Sequence, residues 1–575
     1  MLVLPLLAQL VAPPLQQGPV RLPGPGAGEQ QLDRTKPAPS LEVQPAGPGP
    51  SGEPPAPQPA PPPSTTTPGL LKNLPEVRGL QRYSSSELAK IFQPCLAISD
   101  PGQRLSACAA NLTARLVSDG YINSRVFAET KPSPGYLDVV VGRIVEVRVI
   151  AKAPWLSRRV NRLLRSLQGQ ELNLVKVERQ LRLLQRQPGV KSVRSNLSRL
   201  GSDPTQAVLK VNVEQGLQPF QGDFSLRNDG TVGSGEGRVV GILAKGEVAK
   251  PGDLLLLYGE LDFASVSSPD LGAVISSASY TYPLTDQLNL TGSFGYSRRN
   301  VIEPMSIRGS QLSTRQFQGL GQLEWVFNET LTQRWAAFAG LSLNRSDTFL
   351  AGNALPSIIP EVVRSPQNGY LRVGLSGSSL TNSVGWSGNV YALQGIGAFT
   401  PGNQINEWGR VDIVPGQATA LGSLVSAAWG FAPNLQLNVR VAGQVALNPL
   451  TPSMQFSLGS DVGLRGLPGQ LISGDNGWLG TGEVVWTFWQ KTNQALQLVP
   501  FFGIGGINTR LKAISFTEKV GSGGMLARWL AGNNWTFEAG WVDQFSVTGN
   551  SSLGSDPLAS WALGQGFYGK IQYRF

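Results

Sequence analysis

The chain has 575 residues, of which 41% are hydrophobic and 15% charged, with 68 glycines, 43 prolines, two cysteines and no histidine. Without histidine there is no imidazole base for a serine or cysteine nucleophile and no imidazole metal ligand, and two cysteines cannot complete a four-thiolate site. An enzyme, a bound metal and a cofactor are therefore not expected. The net charge of +10 is concentrated in residues 151–200, where Lys and Arg far outnumber Glu171 and Glu178. Such a segment suits nucleic acid, anionic headgroups or an acidic partner, or is simply the solvated face of amphipathic helices.

Residues 1–12 are mostly apolar, like a signal-peptide core, but no Lys or Arg precedes Arg21. The start therefore reads as an atypical signal or as an apolar tail. The stretch to residue 73 is rich in proline and lacks aromatics, so it is expected to be a disordered or polyproline-like linker that buries too little apolar surface to order itself. No charge-free apolar stretch reaches the roughly 18 residues of a spanning helix.

Folded sequence begins near Leu74. Ser84 and Glu87 make a capping box before Leu88, and Leu105, Cys108, Leu112 and Leu116 share one helical face. Two alternating strands follow, one with Leu137, Val139 and Val141 and one with Val145, Val147 and Val149. The order of strand, two helices and two strands then repeats. Leu156, Val160, Leu163, Leu164 and Leu167 mark one helix, and Leu174, Val177, Leu181 and Leu184 mark the next, which Pro188-Gly189 ends. Leu209, Val211 and Val213 alternate in the last strand. Two small α/β modules in tandem, 74–150 and 151–217, suit a binding arm better than a catalytic domain.

From residue 218 to the end, period-two alternation replaces helical periodicity. Leu288, Leu290, Phe294 and Tyr296 interleave with Asn289, Thr291, Ser293 and Ser297, and Leu435, Leu437, Val439, Val441 and Val445 with Gln436, Asn438, Arg440 and Gln444. Thr285-Asp286, Pro433-Asn434 and Asn533-Asn534 supply turns. This length of strand without a helix is best closed on itself, with an apolar lipid-facing side and a polar interior, and holds about 16 antiparallel strands of a membrane β-barrel. The last strand alternates Phe567, Ile571, Tyr573 and Phe575 with Lys570, Gln572 and Arg574, so Ile571, Tyr573 and Phe575 are the candidate signal for a barrel-insertion machinery.

From Leu74 to Phe575 the chain resembles the two-partner secretion transporters of the haemolysin secretion/activation family, ShlB/FhaC/HecB. In the first module Gly120-Tyr121-Ile122-Asn123-Ser124-Arg125 is similar to the family's G-Y-x-x-S-R element, and Val141-Gly142-Arg143-Ile144 stands where E-G-x-I is usual. In the barrel, Leu464-Arg465-Gly466-Leu467, then Gly474-Asp475-Asn476-Gly477 and Glu483, resemble the family's V-R-G-Y/F loop and the segment after it. The resemblance implies that the modules are POTRA domains in the periplasm, that the barrel sits in the outer membrane, and that Arg465 pins a long loop to the inner wall. Related chains often carry an aspartate partner in F-F-D-x-G, where this one has Phe501-Phe502-Gly503-Ile504-Gly505. Arg465 must therefore find another acceptor or be held less firmly. A plug helix is expected to be short or absent, with Glu29 to Arg34 as its remnant. Cys95 and Cys108 suit a disulfide in an oxidising compartment, although Cys108 on the core face also suits a buried thiol.

The expected function is secretion of an exported, unfolded, repeat-rich partner protein, without nucleic acid as a ligand. The POTRA domains bind the partner by strand addition, and Arg158, Arg159, Arg162 and Arg165 could steer acidic cargo. Outer-membrane lipid and the barrel assembly machinery are the other expected partners. The main alternative is an assembly factor that inserts other barrels, although such factors usually carry more modules than two. A porin would leave the arm unexplained, and a displayed adhesin would carry its extra domain outside.

Overall fold

The computed structural model of the protein describes residues 40–43 and 74–575, apart from 81, 186, 188–189, 202, 217–219, 251, 265–269, 303–311, 382, 470, 492, 510–516 and 549–560. The signal-like start, most of the proline-rich linker, the plug remnant at 29–34 and the Pro188-Gly189 stop lie outside the described residues. One part of the linker does not. Residues Ser40–Val43 form strand β1, and it pairs in parallel with a later strand, Ser40 opposite Arg194 and Val43 opposite Leu197. Nothing in the local sequence marks this strand, because its hydrogen-bonding partner lies about 150 positions further on.

The first module runs through β2 (Glu76–Arg78), α1 (Ser85–Phe92), α2 (Pro101–Ser118), β3 (Arg125–Glu129) and β4 (Tyr136–Val140). The capping box is made: Glu87 N–H donates to Ser84 Oγ, and Ser84 N–H donates to Glu87 Oε2 at 2.8 Å. Asp100 caps α2 by accepting from Gln103 N–H, with Pro101 pre-set for the first helical position. The apolar stripe of α2 meets Phe92, Leu137 and Val139 in one core. A disulfide joins Cys95 to Cys108 with the two Cα atoms 5.3 Å apart, tying the turn after α1 to the middle of α2.

The second module comprises β5 (Arg143–Ala151), α3 (Pro154–Leu164), α4 (Leu174–Gln185), β6 (Val190–Leu200) and β7 (Asp203–Gln215). Its sheet has the order β1-β6-β7-β5, whereas the first has β2-β4-β3. This corrects the boundary drawn at residue 150. The strand of Val145, Val147 and Val149 is β5, which pairs in parallel with β7, Val147 opposite Leu209, and so opens the second module instead of closing the first. Alternation identifies a strand but carries no information about which sheet it joins.

Among the described residues no helix is long and apolar enough to cross a membrane. Instead sixteen antiparallel strands, from β8 (Gln221–Arg227) to β23 (Phe567–Arg574), close into a barrel. The closing pair is β23 with β8, Lys570 opposite Arg227 and Arg574 opposite Asp223. The alternation has the expected sense. Leu290 and Phe294 are exposed on the outer wall while Thr291 and Ser297, at positions of the opposite parity, are buried on the inner one. Turns such as 284–287, 330–332 and 433–434 are short, and 351–366, 396–418 and 447–475 at the opposite end are long. In barrels of this type the short turns face the periplasm and the long loops the exterior.

Candidate functional site

The longest of these connections, 447–475, turns back into the lumen between β18 (Leu435–Ala446) and β19 (Asn476–Lys491). A small hairpin, Phe456–Leu458 against Ile472–Gly474, forms its stem. At the base, buried Asp475 accepts from Leu450 N–H and from Gln455 Nε2, each at 3.2 Å, and Gly477 lies under the ring of Phe456, leaving no room for a Cβ. Gly474 and Asp475 thus belong to the stem and not to the tip. Above them Leu464 and Leu467 are fully buried with Leu458, Leu471, Leu479, Ile507 and Val520. Burial of each such leucine favours docking by about 2–3 kcal/mol.

Apolar burial holds the tip close to the wall, and Arg465 sets its register. Its Nε donates to Glu483 Oε1 on β19 at 2.8 Å and its Nη1 donates to Glu538 Oε2 at 2.7 Å. Glu538 lies on β22 (Trp535–Thr548), and its other oxygen accepts from Arg528 Nε on β21 (Thr517–Ala531). Ser522 Oγ donates to the Arg465 carbonyl at 2.5 Å, and Gln544 Nε2 donates to that of Gly466 at 2.6 Å. Gly466 has φ +82°, and a Cβ there would lie 2.2 Å from Val542 Cγ1, so both conformation and space demand glycine.

Gly503 is thus not needed as an acceptor for Arg465. Its position on β20 (Gln494–Asn508) does face the tip, but a Cβ there would stand 3.0 Å from Leu464 Cδ2. Leu464 fills the space that a carboxylate would take, and Glu483 and Glu538 supply the negative charge. Glu483 belonged to the quoted motif. Glu538 was missed, although its place on the inner face, between outward-facing Phe537 and Ala539, was a signal in the alternation. Arg528, Ser522 and Gln544 follow the same parity.

The G-Y-x-x-S-R element of the arm builds the joint between the two modules. Gly120 O accepts from Leu174 N–H at 2.9 Å, and buried Ser124 Oγ accepts from Gly142 N–H at 3.1 Å. The Arg82 guanidinium lies 3.7 Å above the Tyr121 ring and pairs with Glu171 of the second module. Arg125 Nη1 donates to the Ser124 and Ile122 carbonyls. Next to this joint Tyr83 donates to Asp119 Oδ2 at 2.6 Å, and burial together with that acceptor pushes its phenol up to about 12. The four arginines of the second module do not form one face. Arg158, Arg162 and Arg165 follow a spacing of four and three along α3 and the turn after it, with Arg158 and Arg165 exposed. Arg159 turns toward Gln187 Oε1 at 3.5 Å.

Comparison with known proteins agrees with this architecture. The profile of the haemolysin secretion/activation protein family ShlB/FhaC/HecB matches residues 206–521. The outer membrane transporter CdiB of Escherichia coli is 22% identical over 454 residues, covering 72% of this chain and 68% of its own. That of Dickeya dadantii is 23% identical over 388 residues, covering 65% and 64%. The solved structure of CdiB from Escherichia coli superposes with a TM-score of 0.55 at 18% identity, over 87% of this chain and 89% of its own, and so shares the fold.

Proposed function

The chain belongs to the haemolysin secretion/activation family ShlB/FhaC/HecB, a family of outer-membrane transporters, and from this premise we propose that it secretes one exported, unfolded partner polypeptide. The arm binds the partner in the periplasm and the barrel passes it outward. The periplasm supplies no nucleotide for an energy source, so folding of the cargo outside would bias the movement.

The observation that carries this reading is a matched pair of sheet edges in the arm. β6 is the edge of the second module's own sheet and has accepted β1, a short strand from a proline-rich segment. Its counterpart in the first module is β3, which among the described residues pairs with β4 alone. An edge able to accept a strand of its own chain has the backbone geometry to accept one from an extended cargo, and side-chain contacts then supply selectivity. On β3, Val126 and Ala128 pack inward while Phe127 is 48% exposed, an apolar grip beside the unpaired backbone. The stripe of Arg158, Arg162 and Arg165 would steer an acidic segment toward the arm, whereas Arg159 is turned aside. The outward row of Ile571, Tyr573 and Phe575 supports its role as the mark read by the assembly machinery.

The reading is tested by depletion of the protein in its own cell. Disappearance of a single protein from the medium, with the other outer-membrane barrels at normal levels, is the expected outcome. A general loss of barrels would overturn secretion in favour of barrel assembly.

A further inference from the structure

The tip of the lumenal loop is closed on itself, with Leu464 N–H donating to Gly459 O at 3.1 Å and Ser460 N–H to Pro468 O at 2.9 Å. Arg465 leaves one side of this ring. Asp461, four positions earlier, leaves the other, and its Oδ1 accepts from Arg238 Nη1 at 2.7 Å. Arg238 lies on β9 (Gly237–Gly246), wholly buried, and also pairs with Glu260 at 2.6 Å and Asp262 at 3.8 Å on β10 (Leu254–Phe263). Beside it Gly469 N–H donates to Gly230 O at 2.9 Å, so backbone follows side chain onto this wall. Neither Asp461 nor Arg238 belongs to the motif that singled out Arg465.

The Glu538 and Arg238 contacts of the tip flank the line where the barrel closes. In sheet order they fall on β22 and β9, with the closing strands β23 and β8 between them. That closing ladder is short, Asp223–Arg227 against Lys570–Arg574. Side chains beyond it add to the closure. Asn228 Nδ2 donates to Phe567 O at 2.8 Å, and Glu236 Oε1 accepts from Ala562 N–H at 2.7 Å.

We propose that Asp461 and Arg238 form a second anchor of the loop tip, and that two anchors of opposite polarity fix its orientation behind the closing strands. A tip docked end for end would set Asp461 against Glu538 and Arg465 against Arg238. Both contacts would then repel, so polarity excludes the wrong docking as well as favouring the right one. The wall is also prepared for the tip to leave. When Asp461 departs, Arg238 keeps Glu260 and Asp262; when Arg465 departs, Glu538 keeps Arg528. Removing one partner of a buried ion pair is costly because a charge is left uncompensated, and here Arg238 and Glu538 are spared that cost, while Glu483 gives up its ion pair with Arg465. The arrangement is a releasable latch, with Asp461 and Arg238 as its positioning residues.

The test uses the full-length protein and needs no cargo, so its failure would leave the secretion reading untouched. Both native cysteines are in the disulfide, and Ser460 Oγ beside Asp461 is buried. Ser460→Cys therefore places a protected thiol in the tip, whose release is read by labelling with a water-soluble maleimide. Barrel folding is checked by heat-modifiable gel migration. Adding Asp461→Asn is expected to speed labelling roughly tenfold, about 1.4 kcal/mol of docking, Arg465→Gln to act in the same direction, and Asp461→Glu to restore protection. Labelling of the Asp461→Asn protein at the parent rate, while Arg465→Gln accelerates it, would overturn the second anchor. Should Asp461→Asn not fold, Arg238→Lys, which keeps the charge but loses the planar fork, is read by the same criterion.

Discussion

At the scale of single residues, Arg465 shows how a guanidinium finds acceptors where the expected aspartate is replaced by glycine. A guanidinium offers donors in several directions, so two carboxylates on different strands can replace one, provided that they share its inner wall. Glu483 and Glu538 meet that condition. The change is coupled to volume as well as charge, because Leu464 occupies the space over Gly503. Restoring an aspartate by Gly503→Asp is therefore expected to displace the tip, whereas Gly503→Asp with Leu464→Ala makes room for it. Protease sensitivity of the loop in purified protein should rise in the single variant and return toward the parent value in the double one. A single variant as resistant as the parent would show that Leu464 does not compete for that space. Arg159 gives the complementary lesson: four arginines close in sequence form a stripe of three, because the fourth points to Gln187.

Among elements, β1 has the clearest consequence. A parallel pairing of four residues is a weak attachment, since short strands gain few ladder bonds for the ordering that they require. Under the strand-addition reading proposed above, it would give way to a longer strand from a cargo. Leu41→Pro removes a backbone donor from this strand and disfavours the extended ladder. Its expected effect is stronger binding of an extended acidic peptide to the full-length protein, by a few-fold, together with faster amide exchange in β6. Unchanged exchange in β6 would show that β1 does not protect that edge. Helix α2 of the arm behaves differently, because it is fixed by several independent devices. α2 combines an Asp100 cap, Pro101 in the first turn, a continuous apolar stripe and the disulfide from Cys108.

Over the whole molecule, the outer wall of the barrel carries a belt of large aromatics near the short-turn end. Trp325 with Phe327, Trp429 with Phe431, Trp486 with Phe488 and Trp535 with Phe537 each form a tilted or stacked pair two positions apart on one strand. Such rings favour the boundary between hydrocarbon and headgroups, where an apolar face and a polar edge are both satisfied. The belt therefore marks the inner membrane boundary of the barrel. Replacing Trp429 and Trp486 by alanine is expected to lower the temperature at which the barrel loses heat-modifiable migration in lipid, and to have a smaller effect in detergent. An equal effect in both media would mean that these rings act through packing and not through the membrane boundary.

Local patterning is enough to give the elements: period two for the barrel, period 3.6 for the arm helices, the capping box at Ser84, the polar and apolar faces of the last strand, and the motif around Arg465. These are local patterns, and the forces behind them act between near neighbours along the chain. Long-range contacts are what make β5 open the second module, join Ser40–Val43 to β6, build a joint from Gly120 to Arg125, and bring Arg465 and Asp461 to Glu538 and Arg238. Each of these depends on which distant segments come within hydrogen-bonding distance. An ion pair or a sheet edge is satisfied by proximity in space, and proximity between residues 461 and 238 leaves no periodic trace in either stretch of sequence.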